Sequence, residues 1–97
     1  MATYIVLGQF TDQGIRSVKD TTKRAEALKD MAKKAGASIK EVYWTLGQYD
    51  IATIVDAPDD AALTTLLLTV GALGNVRTQA LRAFSADEMG KIVSRVG

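Results

Sequence analysis

Glu41-Val42-Tyr43-Trp44-Thr45-Leu46-Gly47-Gln48-Tyr49-Asp50-Ile51-Ala52-Thr53-Ile54-Val55 reads as two β-strands joined by a reversal. β-branched and aromatic residues crowd both halves, as strands favour. Gly47-Gln48, with glycine first, suits a two-residue type II′ turn. Counting outward from that turn sets the register: Leu46 opposite Tyr49, Thr45 opposite Asp50, Trp44 opposite Ile51, Tyr43 opposite Ala52, Val42 opposite Thr53. Side chains alternate across a strand. One face of the hairpin therefore carries Val42, Trp44, Leu46, Tyr49, Ile51, Thr53 and Val55. The other carries Ile39, Glu41, Tyr43, Thr45, Asp50, Ala52 and Ile54.

The rest of the chain arranges itself around this hairpin. Tyr4 to Phe10 is a short apolar run of strand type, and Thr11 or Asp12 can cap the helix after it. Ile15, Val18, Thr22, Ala25, Leu28, Ala32 and Ala35 recur every three or four residues, which predicts one helix ending at Gly36. The hairpin strands are expected at Ser38 to Leu46 and Tyr49 to Val55. Pro58 with Asp59 and Asp60 opens a second helix, whose stripe is Leu63, Leu66, Leu67 and Val70 and whose stop is Gly74. Val76 to Phe84 is a fourth strand. Ser85-Ala86-Asp87-Glu88 is a capping box for a short terminal helix bearing Met89, Ile92, Val93 and Val96. The order β-α-β-β-α-β plus a C-terminal helix is the α+β, ferredoxin-like pattern, with an antiparallel sheet ordered 4-1-3-2. Residues 1–97 form a single domain.

Composition removes several kinds of chemistry. The chain has no His and no Cys, so imidazole bases, thiol nucleophiles, disulfides and His/Cys zinc sites are excluded. A net charge of +1 offers no case for a polyanion. The basic residues of the first helix alternate with acids and read as a solvated face, with Asp20 and Arg24 spaced for an i,i+4 pair. No nucleic-acid partner is expected. The uncharged stretch Ala61 to Val76 is too short and too polar for a bilayer span. With no signal-peptide pattern at the start, a cytoplasmic protein is the expectation. No metal or cofactor is called for.

The first strand repeats the pattern of the hairpin, with Ile5 and Leu7 on one side and Tyr4, Val6 and Phe10 on the other. A sheet with one wet face ordinarily shows apolar residues on the other face only. Here both faces are apolar, two helices can cover one, and the terminal helix is short. A second copy packed sheet to sheet, as a dimeric α/β barrel, solves the problem, so a homodimer or higher homo-oligomer is expected.

The runs Phe10-Thr11-Asp12-Gln13-Gly14-Ile15-Arg16, Glu41 to Asp50, Pro58-Asp59-Asp60 and Gly74-Asn75-Val76-Arg77 resemble the GYD domain family, whose Gly, Tyr and Asp stand here as Gly47, Tyr49 and Asp50. The resemblance covers essentially the whole chain. It implies a ferredoxin-like fold and a dimeric α/β barrel, and no general activity or cofactor. Relatives by fold include cofactor-free monooxygenases and lactone isomerases, many of which use a His that this chain lacks.

Topology brings Phe10, Tyr49, Asp50 and Arg77 to one edge, with Arg16 at the start of the first helix. Asp50 is a candidate proton carrier, provided an apolar setting raises its pKa, or a candidate holder of a ligand hydroxyl. Its structural alternative is to accept backbone donors or pair with a base. Tyr49 or Tyr43 is a candidate hydroxyl donor. Phe10, Tyr43, Trp44, Tyr49, Asp50 and Arg77 are the ligand-binding candidates, and Arg82 is either a barrel-facing cation or a surface ion pair. Three functions compete on these residues. The first is a homo-oligomeric module holding a small organic molecule between sheet and helices. The second is a cofactor-independent enzyme acting on such a molecule. The third is an assembly protein without ligand, supported by Leu68 and Leu73 off the second helix's stripe and by the lack of charge in that helix after Asp60.

Overall fold

A computed structural model describes residues 1–97. The elements are β1 (Ala2–Phe10), α1 (Asp12–Arg16), a 3₁₀ turn (Val18–Asp20), α2 (Thr21–Lys34), β2 (Ser38–Trp44), β3 (Ile51–Ala57), α3 (Asp60–Ala72), β4 (Val76–Ala83) and α4 (Ala86–Val93). The four strands are antiparallel in the order β2-β3-β1-β4, which is the expected ferredoxin-like topology.

The ends of the elements follow capping chemistry. Thr11 accepts from the Gly14 N–H, Asp59 accepts from the Ala62 N–H, and Ser85 and Glu88 form a full capping box. Pro58 thus lies just ahead of the capping residue rather than inside the helix. Gly36 and Gly74 leave α2 and α3 at positive φ, 77° and 87°, where a side chain would be strained.

The single first helix is in fact two helices with a break at Ser17, and the break has a cause. Gly14 presses so closely against the chain at Asn75 that a Cβ would overlap the Asn75 carbonyl oxygen. A straight helix from Asp12 to Lys34 would have to lie both there and across the sheet. The Arg24 guanidinium bridges the bend, donating to the Ser17 and Gly14 carbonyls and to the Ser17 hydroxyl at 2.9, 3.3 and 3.2 Å. Arg24 therefore does not make the expected pair with Asp20.

The core lies between the sheet and α2 and α3. Tyr4, Val6, Val55, Leu63 and Leu66 are buried, with Ala32, Ala37 and Ala57 filling the closest approaches. The hairpin register is as counted, with Val42, Tyr43 and Trp44 opposite Thr53, Ala52 and Ile51. Two details differ. A bulge between Ile39 and Glu41 places Ile39 opposite Val55, on the helix side rather than with Tyr43. At the other end the ladder stops at Trp44 and Ile51. Thr45 donates its N–H to the Asp50 carbonyl and its hydroxyl to the Tyr49 carbonyl, and Gly47 turns the chain at φ 106°. The Leu46–Tyr49 pair does not form.

The second face of the sheet is uncovered. Ile5, Leu81 and Tyr43 are exposed there, beside the half-exposed Leu7, Ala52 and Ile54. The terminal helix α4 does not fold over them. It stands away from the body, and Met89, Ile92 and Val93 on its apolar side, with Val96 just beyond it, are exposed. The molecule measures 51 × 31 × 18 Å, with a radius of gyration of 14.6 Å against about 12.5 Å for a globular chain of this length. Its accessible surface of 6502 Å² is about a fifth above what a 10.4 kDa monomer ordinarily exposes. No helix is long and apolar enough to cross a membrane.

Candidate functional site

The residues singled out from the sequence lie at the hairpin end of the molecule, but on different sides of the sheet. Asp50 sits at the junction. Its N–H donates to the Gly8 carbonyl, and its Oδ2 accepts the Phe10 N–H, both at 2.8 Å. The carboxylate thereby closes the β1–β3 ladder where backbone pairing runs out. Asp50 thus accepts a backbone donor, as its structural alternative requires, and makes no ion pair with Arg77.

Tyr49 corrects the counted register. Its hydroxyl donates to Gln79 Oε1 at 2.5 Å, and Gln79 stands opposite Leu7 on the uncovered face. Tyr49 therefore lies on that face and not beside Trp44, because its carbonyl is held by Thr45 and the chain has left the pleat. Gln9 donates to the Gln48 carbonyl on the same side at 2.8 Å, and Arg77 pairs with Gln9 across the ladder. Tyr43 is also on this face, its hydroxyl donating to Glu41 at 3.3 Å. The uncovered face thus has an apolar centre and a polar end made of Tyr49, Gln79, Gln9 and Arg77.

Trp44 belongs to the opposite side. Its indole N–H donates to the Thr21 hydroxyl at 3.0 Å, and its ring forms one wall of a cleft of about 230 Å³ between α2, α3 and the sheet. Leu28, Met31, Ile51, Val70 and Val76 are among the remaining lining, with Arg24 and Asn75 among the few polar residues. A smaller space of about 60 Å³ adjoins it above Gly8 and Val6. Asp50, Tyr43 and Tyr49 are not in the cleft. The candidate acid and its hydroxyl partners therefore do not converge on one cavity. Arg24, Leu28, Met31 and Val70 were missed as lining residues, since helical spacing marks them only as stripe or surface. The wide gap between helices, opened by small residues such as Ala25, is the signal that was available.

A second polar cluster lies at the far end of the sheet. Buried Tyr4 donates its hydroxyl to Asp60 at the start of α3, and the Asp60 carboxylate holds the phenol above its ordinary pKa. Arg82 is on the helix side opposite Tyr4, over the rings of Phe84 and Tyr4 at 4.6 and 5.7 Å, and pairs with Glu88 at 3.4 Å. It does not face a barrel interior. The backbone donor of Ser85, with burial opposing and Arg82 assisting, lowers the Glu88 carboxyl below its usual range. No group of three His, Cys, Asp or Glu residues is placed to hold a metal ion.

The geometry explains why the marker residues stand together. Thr11 donates its hydroxyl to the Gly74 carbonyl and its N–H to the Asn75 carbonyl, while Gln13 donates to Leu73 and Asn75. With Gly14 against Asn75 and Asp50 on Phe10, these bonds clasp the hairpin, β1 and the start of β4 into one edge.

Comparison with known proteins agrees. The family model described as GYD domain matches residues 4–93. The chain is 30% identical over 90 residues to the Thermus thermophilus protein named glutamine synthetase and cystathionine beta-lyase binding protein, covering 92% of this chain and 95% of that one. A crystal structure of a Thermus thermophilus protein superposes with a TM-score of 0.57 at 27% identity, over 89% of this chain and 96% of that one. The crystal structure of FFRP-DM1 gives a TM-score of 0.61 at 21% identity, covering 87% and 100%, a likeness of fold alone.

Proposed function

The chain belongs to the GYD domain family, and from that premise we propose that it is a homo-oligomeric binding module that assembles with other proteins. The observation that carries this reading is the uncovered, apolar second face of the sheet. Ile5, Ile54 and Leu81 meet across three strands there and lose contact with water only if another protein layer lies over them. A second copy placed sheet to sheet would give each face an equally apolar partner, the dimeric α/β barrel. α4 and the uncharged outside of α3, where Leu68 is exposed, extend the apolar surface beyond that contact. These are surfaces for further subunits or partners.

The name of the Thermus relative supports the same class of role, and makes glutamine synthetase and cystathionine β-lyase the first partners to try. Sedimentation of the purified chain with either enzyme from its own organism tests this. The expected result is an oligomer that co-sediments with at least one of them. A chain that stays at 10.4 kDa and binds neither contradicts the proposal.

A second reading, that the module also holds a small organic molecule, is favoured by the aromatic-walled cleft between α2 and α3. Its volume is below that of sites for drug-sized ligands but above that of an engineered cavity that admits benzene.

A further inference from the structure

The cleft has a chemical polarity. Its floor and walls are hydrocarbon, with Leu28, Met31, Val70 and Val76 among them, and Trp44 is a preset flat wall because its indole N–H is tied to Thr21. Among its lining residues Arg24 alone carries a charge. That cation is half-buried and fixed, since Ser17 and Gly14 hold it, and no carboxylate lies within ion-pair distance. Those bonds use three of the five guanidinium N–H groups, leaving the Nε–H and one Nη2–H without a protein acceptor. The Asn75 side chain is similarly one-sided. Its Oδ1 accepts from Gln13, and its amide N–H groups have no acceptor in the protein.

On the small-molecule reading above, we infer that the cleft takes an apolar monocarboxylate. The hydrocarbon body, one ring with a short chain or a branched acyl group of about ten heavy atoms, lies against Trp44 and Val70. The carboxylate meets the free donors of Arg24 and Asn75. A guanidinium already oriented by backbone carbonyls loses little freedom on taking a carboxylate, and planar donor pairs match that group well. A neutral amide of the same shape offers the donors one carbonyl oxygen but no charge to the cation. Arg24 is therefore the specificity-determining residue of the cleft.

The test is a nitrogen-15 NMR titration of the intact chain with phenylacetate and with phenylacetamide, which has the same shape without the charge. Saturable shifts are expected at the Trp44 indole N–H and in Leu28 and Val70, with phenylacetate binding about fivefold tighter. In Arg24→Gln that advantage should vanish, with phenylacetate weakened more than phenylacetamide, while saturable phenylacetamide shifts at Trp44 and Val70 show that the variant keeps its cleft. Val70→Phe, or Ala25→Leu should the first not fold, should abolish both. If the amide binds in the cleft as tightly as the acid, the carboxylate assignment is overturned and the small-molecule reading survives. If neither gives a saturable shift up to about 10 mM, both fall. Shifts confined to Ile5, Ile54 and Leu81 would also overturn the assignment.

Discussion

The two faces of the sheet are built from the same strands with nearly the same kinds of residue, yet only one has a roof. On the helix side, Tyr4, Val6 and Val55 are buried under Leu63 and Leu66. On the other side, one residue along each strand, Ile5, Ile54 and Leu81 stand in an uncovered row. Alternation means that successive β1–β3 residue pairs, such as Tyr4–Val55 and Ile5–Ile54, face opposite sides of the sheet. A sequence that keeps both apolar is therefore written for a layer on each side. The difference is one of coverage, and it locates the face that the proposed assembly would cover.

The sharpest way to break this comparison uses two leucines on opposite sides. Leu66, 2% exposed, fills the core, and Leu66→Ala should cost about 4 kcal/mol, read from the urea midpoint. Leu81→Ala, at a site 42% exposed in one chain, should cost the isolated protomer little and the oligomer clearly more. Equal costs in a dissociated protomer would mean that the two faces are alike after all.

Next in size, Ile54→Asp should place an unpaired charge in the middle of the covered assembly, a penalty of about 3 kcal/mol or roughly a hundredfold in association. Sedimentation should then show a folded protomer near 10.4 kDa, with unchanged far-ultraviolet circular dichroism. The clasp at the hairpin end should matter less. Asp50→Asn replaces a charge-assisted bond to the Phe10 N–H with a neutral one, and about 1 kcal/mol should be lost whether or not the chain is assembled.

How far the sequence leads can be judged on the same residues. Strand order, hairpin register and helix caps were legible because each rests on a local signal: alternation, Gly47, Thr11, Ser85 with Glu88. Ile39 was misplaced because a bulge shifts one strand by a residue and leaves no mark in a period-two pattern. The break at Ser17 was hidden because its cause, Gly14 against Asn75, joins residues far apart in the chain. Tyr49 changed sides for a similar reason, drawn to Gln79 across β1. The cleft was foreseen as a space between sheet and helices, with Trp44 among its candidate residues, but the rest of its lining was not, since that depends on how widely two helices are set apart. Asp50 and Tyr49 were legible as residues of the hairpin edge, where Asp50 accepts the Phe10 N–H and Tyr49 donates to Gln79.

The smallest effects concern pH and lie at the other end of the sheet. Glu88 has its carboxyl pKa lowered from an ordinary 4.5 by the Ser85 backbone donor and Arg82. The stability this gives α4 is fully present above that ordinary value and is lost as pH falls through the lower folded one. Tyr4 is raised above an ordinary 10.0 by its bond to Asp60. Its contribution is present below that value and fades as pH rises through the folded one. Protection of the α4 amides, relative to their intrinsic exchange rates, should fall in acid, Tyr4 should titrate late in an ultraviolet scan, and Glu88→Gln should remove the acid effect alone.

That the uncovered face is an interface between copies is the central claim. Sedimentation velocity of the purified chain at low micromolar concentration tests it directly. A species of twice the 10.4 kDa chain mass or more is predicted, and a single 10.4 kDa species with Ile5, Ile54 and Leu81 in water would contradict it.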